Sequence, residues 1–177
     1  YMDEGAPSFS LKLTYVEGNL MAAVLDGKEQ EFFDLLDEKG EKTGRIKERS
    51  LVHEDGDPHG TSHIWIVRRT EKGYDVLLQK RSTNKDSFPG CYDISSAGHV
   101  AAGDEYLETA VREMQEELGI SAAAEGLKQI GVHDGIINGN FCGREFRNHE
   151  ISAVYVYDKP VEIEALSLQK EEVEEVI

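Results

Sequence analysis

The clearest periodic pattern lies in the second half of residues 98–120. Four apolar residues recur there at spacings of four, three and four: Leu107, Val111, Met114 and Leu118. At about 100° per residue these positions form one stripe on a helix, with polar residues on the other sides. Glycine commonly follows the last residue of a helix, and Gly119 stands there. The pattern predicts one amphipathic helix that ends at Gly119.

Strand patterns occupy much of the remaining chain. Residues 64–67 are an apolar, partly β-branched run typical of a buried central strand, and residues 150–157 alternate strongly. Further strands are predicted at residues 32–37, 43–47, 75–81 and 126–133, a short helix or loop at 49–52, a loop at 82–90 and a turn at 138–140. This order predicts an α/β domain with a mixed β-sheet and the helix on one face.

The two ends of the chain are less legible. Residues 9–16 alternate, residues 17–19 favour a turn, and residues 20–25 favour a returning strand. An extra hairpin, an oligomer contact and a crossover from another domain all fit this pattern. We therefore treat residues 1–30 as an N-terminal extension and 31–177 as the main domain. Residues 168–177 read as the start of a last element that is cut short.

Size and charge narrow the function. The 177 residues suffice for one sizeable core, and the net charge of -16 disfavours nucleic acid polymers and anionic membranes as partners. A small phosphorylated substrate stays compatible with this charge if cations shield the site. Two cysteines, Cys91 and Cys142, offer no disulfide framework, and no apolar run is long enough to span a membrane. We expect a cytoplasmic protein.

Three carboxylates share one patch of the predicted helix. Glu113, Glu116 and Glu117 lie at i, i+3 and i+4, and Arg112 lies one turn before Glu116, where it can orient a carboxylate. Such a patch is often only a solvated helix face. It also suits Mg2+ or Mn2+, which prefer hard oxygen ligands and keep positions for water and substrate phosphates.

The residues around this patch favour the metal-binding interpretation. Gly98, an acidic residue six positions later, and the run Arg-Glu-Met-Gln-Glu-Glu-Leu-Gly-Ile over residues 112–120 resemble the Nudix box. One position departs from the box pattern, where Asp104 replaces Glu. The resemblance implies the α/β/α sandwich of the Nudix superfamily and metal-dependent cleavage of a diphosphate. We refer to residues 98–120 as the box.

The resemblance also implies roles for particular residues. Glu116 and Glu117 are expected to bind metal, Glu113 to bind metal or activate water, and Arg112 to position Glu113. The backbone carbonyl of Ala97 or Gly98 is a further expected ligand. The shorter Asp104 either contacts the metal or caps the helix.

A second resemblance points to the isopentenyl-diphosphate isomerase group of the same superfamily. His53, His59 and the Asn148-His149-Glu150 sequence are similar to residues that bind a metal there, so Glu150 is an expected ligand from outside the box. His99, next to the box glycine, is expected to face the site. His59 and His99, with Lys80 and Arg81 at the end of a predicted strand, are also candidate substrate-binding residues.

The isomerases use a cysteine in the strand just before the box region, where this chain has serines. The sequence therefore favours a hydrolase that cleaves a phosphoanhydride bond in a nucleoside diphosphate linked to another moiety, or in a related nucleotide. An isomerase-like enzyme and a non-catalytic nucleotide-binding module are the alternatives. Substrate choice resides in loops whose composition does not identify a ligand. A homodimer contact is expected at the N-terminal hairpin.

Overall fold

The computed structural model describes residues 11–16, 19–25, 28–85, 87–141 and 144–177. Within them lie two α-helices, α1 (Arg49–Asp55) and α2 (Tyr106–Leu118). The strands, in chain order, are β1 (Leu11–Val16), β2 (Asn19–Leu25), β3 (Lys28–Gln30), β4 (Phe32–Leu36), β5 (Lys42–Glu48), β6 (Pro58–Thr70), β7 (Gly73–Val76), β8 (Gln79–Arg81), β9 (Tyr92–Asp93), β10 (Ser96–His99), β11 (Leu127–Phe141), β12 (Arg144–Tyr157) and β13 (Val173–Val176).

The main sheet is built around β6. Its strand order is β11-β12-β6-β4-β5, and β7 and β10 also pair with β6. Strand β12 runs parallel to β6, whereas β4, β7 and β10 run antiparallel to it. The sheet is therefore mixed, which confirms the predicted α/β class. The β12–β6 register places Glu150 opposite His59.

Helix α2 packs on one face of this sheet. Ala110, Met114 and Leu118 have no exposed surface and contact the cluster that includes Ile64 and Tyr155. Leu107 and Val111, predicted on the same stripe, are partly buried against that cluster. The helix ends where predicted, because Gly119 adopts a left-handed conformation with φ of 73° and its N–H bonds the last turn.

The start of α2 is tied to the sheet by polar contacts. Ser62 Oγ of β6 donates to the Tyr106 carbonyl at 2.6 Å, and Lys42 Nζ donates to the Asp104 carbonyl at 2.9 Å. The residue that precedes the helix is Glu105, and its side chain makes no capping hydrogen bond. The alternative role of Asp104 as the helix cap is therefore wrong. These contacts hold the helix against β6 and β10.

Two strand predictions and one turn prediction need correction. The predicted strand at 75–81 is two strands, because β7 pairs with β6 while β8 pairs with β9 and β13. Strand β6 is much longer than predicted and begins at Pro58, so it includes His59 and His63. The predicted turn at 138–140 lies inside β11, which pairs continuously with β12 there. Cross-strand pairing with β12 outweighs the local turn preference of Asn and Gly at those positions.

The N-terminal strands form a separate three-stranded sheet in the order β1-β2-β3. Strands β1 and β2 pair antiparallel over Leu11–Val16 and Asn19–Leu25. Residues 1–10 lie outside the described residues, as do residues 17–18 of the turn predicted at 17–19, and Asn19 begins β2. Within the described residues, no helix is long and apolar enough to cross a membrane.

Candidate active site

Glu117 is the most firmly held carboxylate of the box. It is 6% exposed, and its Oε2 accepts hydrogen bonds from Ser96 Oγ at 2.7 Å, from the Ala97 N–H at 3.3 Å and from Gln79 Nε2 at 3.5 Å. Burial raises the pKa of Glu117 to about 7, although the hydrogen bonds from Ser96 and Ala97 oppose this change. The carboxylate is therefore fixed between α2 and β10.

Glu113 lies one helical turn earlier, over the backbone of β10. A Cβ atom on Gly98 would stand 2.1 Å from the Glu113 carboxyl carbon, so the glycine makes room for this side chain. The Glu113 side chain is 14% exposed. Burial and then the charge of Glu117 raise the pKa of Glu113 to about 8. Two buried carboxylates that repel each other leave a place where a cation is strongly favoured.

Arg112 joins the helix patch to β10. Its Nη2 lies 3.2 Å from Glu113 Oε1 and donates to the His99 carbonyl at 3.4 Å, while its Nη1 lies 3.9 Å from Glu116 Oε2. The Glu116 side chain is 52% exposed, in contrast to Glu113 and Glu117. The arginine therefore orients Glu113 from the side, and Glu116 faces solvent beside it.

A second polar group lies around β6 and β10. The imidazoles of His53, His59 and His99 offer nitrogen atoms that all lie within 4.8 Å of one another. Phe33 stacks on two of the rings, with centroid distances of 5.2 Å to His59 and 4.9 Å to His99. We call these three histidines the histidine cluster. Helix α1 supplies His53, β6 supplies His59 and β10 supplies His99.

The histidine cluster has the protonation and geometry of a metal site. His59 Nδ1 lies 2.9 Å from the Asp57 carbonyl, to which it can donate, and this leaves the Nε2 lone pair free. The buried Nε2 atoms of His59 and His99 have no hydrogen-bond partner among the described residues. Burial lowers the pKa of all three imidazoles, to about 4 for His53. Neutral imidazoles, with open Nε2 lone pairs on His59 and His99, suit a borderline transition-metal ion.

Glu150 borders the histidine cluster. Its Oε1 lies 3.6 Å from His99 Nε2, and its Oε2 lies 3.7 Å from His63 Nε2. Asn148 Nδ2 donates to Oε1 at 2.7 Å. Burial alone would raise the pKa of Glu150, but its contacts with His63, His99 and Asn148 outweigh burial and hold the pKa below its usual range. Glu150 is therefore an anionic group beside the histidine cluster.

The structure places the other predicted residues as follows. Ala97 and Gly98 lie on β10 directly beneath the two buried glutamates. His59 is completely buried, a position that suits an ion ligand better than a substrate contact. Lys80 pairs with Glu174 and Glu175 of the C-terminal segment.

Arg81 is occupied by its own loop. It donates to the Ser87 carbonyl from Nε at 3.2 Å and from Nη2 at 3.0 Å, and its Nη1 lies 3.1 Å from Asp93 Oδ2. These bonds link β8, the following loop and β9. The geometry thus gives Arg81 a place in holding the loop.

Sequence reasoning missed several supporting residues. Phe33, Ser96 and Gln79 hold the site residues in place but carry no recognisable motif. One available signal was the four-residue spacing of His59 and His63, because residues an even number of positions apart share one face of a strand. The underestimated length of β6 concealed it.

The strand beneath the box carries no thiol, since β10 reads Ser96-Ala97-Gly98-His99. Cys91 is an exposed free cysteine that precedes β9, and Cys142 lies outside the described residues.

The fold and the site together define an α/β protein in which a helix presents buried carboxylates to a glycine of the neighbouring strand. The family model of the NUDIX domain matches residues 58–177. The chain belongs to the Nudix family, as the box predicts.

Relatives with the same family name cover most of the chain. It is 44% identical over 151 residues to Nudix hydrolase 3 of Arabidopsis thaliana, a match that covers 83% of this chain and 19% of that protein. It is 42% identical over 145 residues to an uncharacterized Nudix hydrolase of Clostridium acetobutylicum, covering 82% of this chain and 68% of the relative. The chain thus spans only about a fifth of the plant protein.

Solved structures share the fold. DR0079 from Deinococcus radiodurans matches with a TM-score of 0.61 at 16% identity, covering 83% of this chain and 82% of that one. A MutT/nudix family protein from Enterococcus faecalis matches with a TM-score of 0.52 at 17% identity, covering 68% and 42%. At these identities the similarity concerns the fold alone.

Proposed function

We propose that this chain is a metal-dependent hydrolase that cleaves a phosphoanhydride bond in a nucleoside diphosphate linked to another moiety, or in a related nucleotide. The observation that carries the proposal is the burial of Glu113 and Glu117 together against β10, with pKa values raised to about 8 and about 7. Two acids in this arrangement gain most from a bound cation, and carboxylate oxygens suit Mg2+ or Mn2+. Membership of the Nudix family supports the same reaction class.

The residues of the box would have different roles in the reaction. Glu113, Glu116 and Glu117 would hold the ion, with the carbonyl of Ala97 or Gly98 as a further ligand. Bound Mg2+ or Mn2+ supplies neutralisation of the phosphate oxygens and a lowered pKa for a water ligand. Arg112, whose Nη2 lies 3.2 Å from Glu113 Oε1, would orient Glu113, and Glu113 would either bind the metal or accept a proton from the attacking water. Ser96 and Gln79 keep the Glu117 carboxylate from rotating away.

Glu150 and the histidine cluster would hold a second ion. Their donor set of imidazole nitrogen and carboxylate oxygen fits Mn2+ or Zn2+ better than Mg2+. The unpartnered Nε2 atoms of His59 and His99 support this assignment. Through His99, on β10 next to Gly98, the cluster adjoins the box.

The net charge of the chain indicates which class of binding partner is favoured. A net charge of -16 favours a small phosphorylated substrate over a nucleic acid polymer or an anionic membrane. We further propose a cytoplasmic protein that forms a homodimer through the hairpin of β1 and β2.

An isomerase-like activity on an isoprenoid diphosphate is the second candidate. The histidine cluster with Glu150 favours it, because this arrangement resembles the metal site of that group. The sequence of β10 opposes it, because no thiol stands where the isomerases have one.

The test is a substrate panel of nucleoside diphosphate sugars, dinucleotides, nucleoside triphosphates and isoprenoid diphosphates, assayed with Mg2+ and with Mn2+. Phosphate or nucleotide release that Glu116→Gln removes supports the hydrolase. The exposed Glu108 of the same helix provides the matched control, Glu108→Gln, which should retain full activity. Double-bond isomerisation without phosphate release would instead establish the second candidate. Equal turnover with and without a divalent ion would refute the proposal.

A further inference from the structure

Two lysines near β8 pair with glutamates of the C-terminal segment. Lys80 Nζ lies 3.2 Å from Glu174 Oε1 and 3.3 Å from Glu175 Oε1, in the three-stranded sheet of order β13-β8-β9. The ammonium of Lys85, in the loop after β8, contacts the Glu172 carboxylate. Both lysines form ion pairs with this segment, and hydrogen bonds connect the Lys85–Glu172 pair to the box.

The loop side of this connection starts at β8. Gln79 reaches the Glu117 carboxylate, and three residues later the Ser82 N–H donates to the Glu172 carbonyl at 2.9 Å. The Lys85 N–H in turn donates to the Ser82 carbonyl at 3.2 Å. The short path from Gln79 to Lys85 therefore brings the lysine to the segment that carries Glu172.

The C-terminal side of the connection starts on α2. The Gln169 N–H donates to the Glu117 carbonyl at 3.0 Å, and the Glu172 N–H donates to the Gln169 carbonyl at 2.9 Å. The backbone of Glu117 is thus two hydrogen bonds away from that of Glu172. The Lys85–Glu172 pair lies at the same end of α2 as the buried box carboxylates.

The charges of the pair act on those carboxylates. Besides burial and hydrogen bonding, the negative charge of Glu172 raises the pKa of Glu113 and Glu117, and the positive charge of Lys85 lowers the pKa of Glu117. The side chains of Lys85 and Glu172 keep 23% and 35% of their surface exposed. Both side chains are therefore partly open to solvent.

We propose that Lys85 binds a phosphate group of the substrate at the box, and that Glu172 is the internal anion that holds the Lys85 ammonium there until the phosphate replaces it. The inference rests on the proposed hydrolysis of a diphosphate. A diphosphate brings further negative charge to a site that already contains two buried carboxylates, so a cation from the protein is needed beside the metal. A lysine ammonium is a compact charge with three donors on a flexible stem, which suits an exchange of one anion for another.

Binding of pyrophosphate in Mg2+, measured by calorimetry on the whole chain, tests the lysine. Lys85→Met keeps the length of the side chain but removes its charge, and should weaken pyrophosphate binding at least 10-fold. Lys85→Arg should retain most of the binding because it keeps the charge. The matched control is Lys128→Met, which removes a lysine of β11 that pairs with Asp158 and should bind pyrophosphate like the wild type.

Glu172→Gln tests the internal anion. Because the amide no longer competes for the ammonium, this variant should bind pyrophosphate several-fold more tightly than the wild type. In the Lys85→Met background the same substitution should change binding less than twofold. An equal gain in both backgrounds would overturn the role of Glu172, because it would show only a general effect of one negative charge.

The inference about Lys85 fails if a folded Lys85→Met protein, with the wild-type thermal transition, binds pyrophosphate like the wild type. It also fails if the wild type binds no pyrophosphate. Failure of the proposed function has a different signature, namely a wild type that binds pyrophosphate through Lys85 but hydrolyses none of the substrate panel. If hydrolysis is found, Lys85→Met should raise KM far more than it lowers kcat.

Discussion

The carboxyl carbon of Glu113 lies 2.1 Å from the point where a Cβ atom on Gly98 would stand. The two residues are 15 positions apart on different elements, yet the box pattern requires both. This distance gives a packing reason for glycine at residue 98. The Glu113 carboxylate approaches the backbone of β10 so closely that no side chain fits between them. Any side chain at residue 98 must displace Glu113.

Gly98→Ala should therefore damage the metal site directly. We expect affinity for Mn2+ to fall at least 10-fold and turnover to fall on the order of 100-fold, with about 1–3 kcal/mol lost from the free energy of unfolding through overpacking. Gly131→Ala is the matched control, since nothing lies within 4 Å of a Cβ at that strand glycine. Wild-type Mn2+ affinity in Gly98→Ala would contradict this account of the box.

The raised pKa values of Glu113 and Glu117 make the stability of the metal-free protein depend on pH. Both carboxyls bind protons more tightly when folded, so their stabilising contribution is complete below about pH 4.5 and is lost as pH rises through about 7 and about 8. Glu113→Gln should become more stable than the wild type by about 2–4 kcal/mol between pH 5 and pH 9 in EDTA.

Urea unfolding at a series of pH values measures this difference. The buried histidines titrate in both proteins and cancel in the comparison. In the wild type, Mg2+ should remove most of the decrease in the free energy of unfolding that occurs as pH rises. A difference between the two proteins that stays constant from pH 5 to pH 9 would show that Glu113 titrates normally.

The histidine cluster should bind a transition-metal ion independently of the box. Because the three imidazoles are already neutral at pH 7, protons compete weakly for their lone pairs. Titration with Co2+ should give visible absorption bands that His59→Asn abolishes while Glu116→Gln retains them. His133→Asn changes an exposed histidine of β11 and should leave the bands unchanged. Unchanged bands in His59→Asn would exclude the cluster as a metal site.

Substitution of Arg81 distinguishes a structural role for this residue from a role in substrate binding. Its bonds to the Ser87 carbonyl and Asp93 predict that Arg81→Lys loses the paired geometry and about 1–3 kcal/mol of stability. KM should then change less than threefold in the folded variant. A large rise in KM with an unchanged melting temperature would restore Arg81 as a substrate-binding residue.

The sequence predicted features that depend on local periodicity or on the box. The stripe from Leu107 to Leu118 gave α2 and its end at Gly119, and the box gave the family. The sequence could not predict which residues of strands distant in the chain lie opposite each other. Strand β6 was underestimated because only residues 64–67 are continuously apolar, while His59 and Ser62 are buried by pairing with β12 and β10.

In the candidate site, too, the sequence predicts what depends on local spacing but not what depends on contacts between distant elements. Glu113, Glu116 and Glu117 could be chosen from spacing, but which of them is buried depends on β10, whose Gly98 and Ser96 contact Glu113 and Glu117. The histidine cluster joins three elements that are distant in sequence. Phe33, which stacks on two of its rings, has no sequence signature for that role.

The most direct test of the central claim is anomalous scattering from crystals soaked in Mn2+. We predict a manganese peak within ligand distance of the Glu113 and Glu117 carboxylates, beside Gly98 on β10. A second peak at the histidine cluster would be independent of this result. Glu113 and Glu117 in the positions described above, with no manganese between helix and strand, would contradict the account.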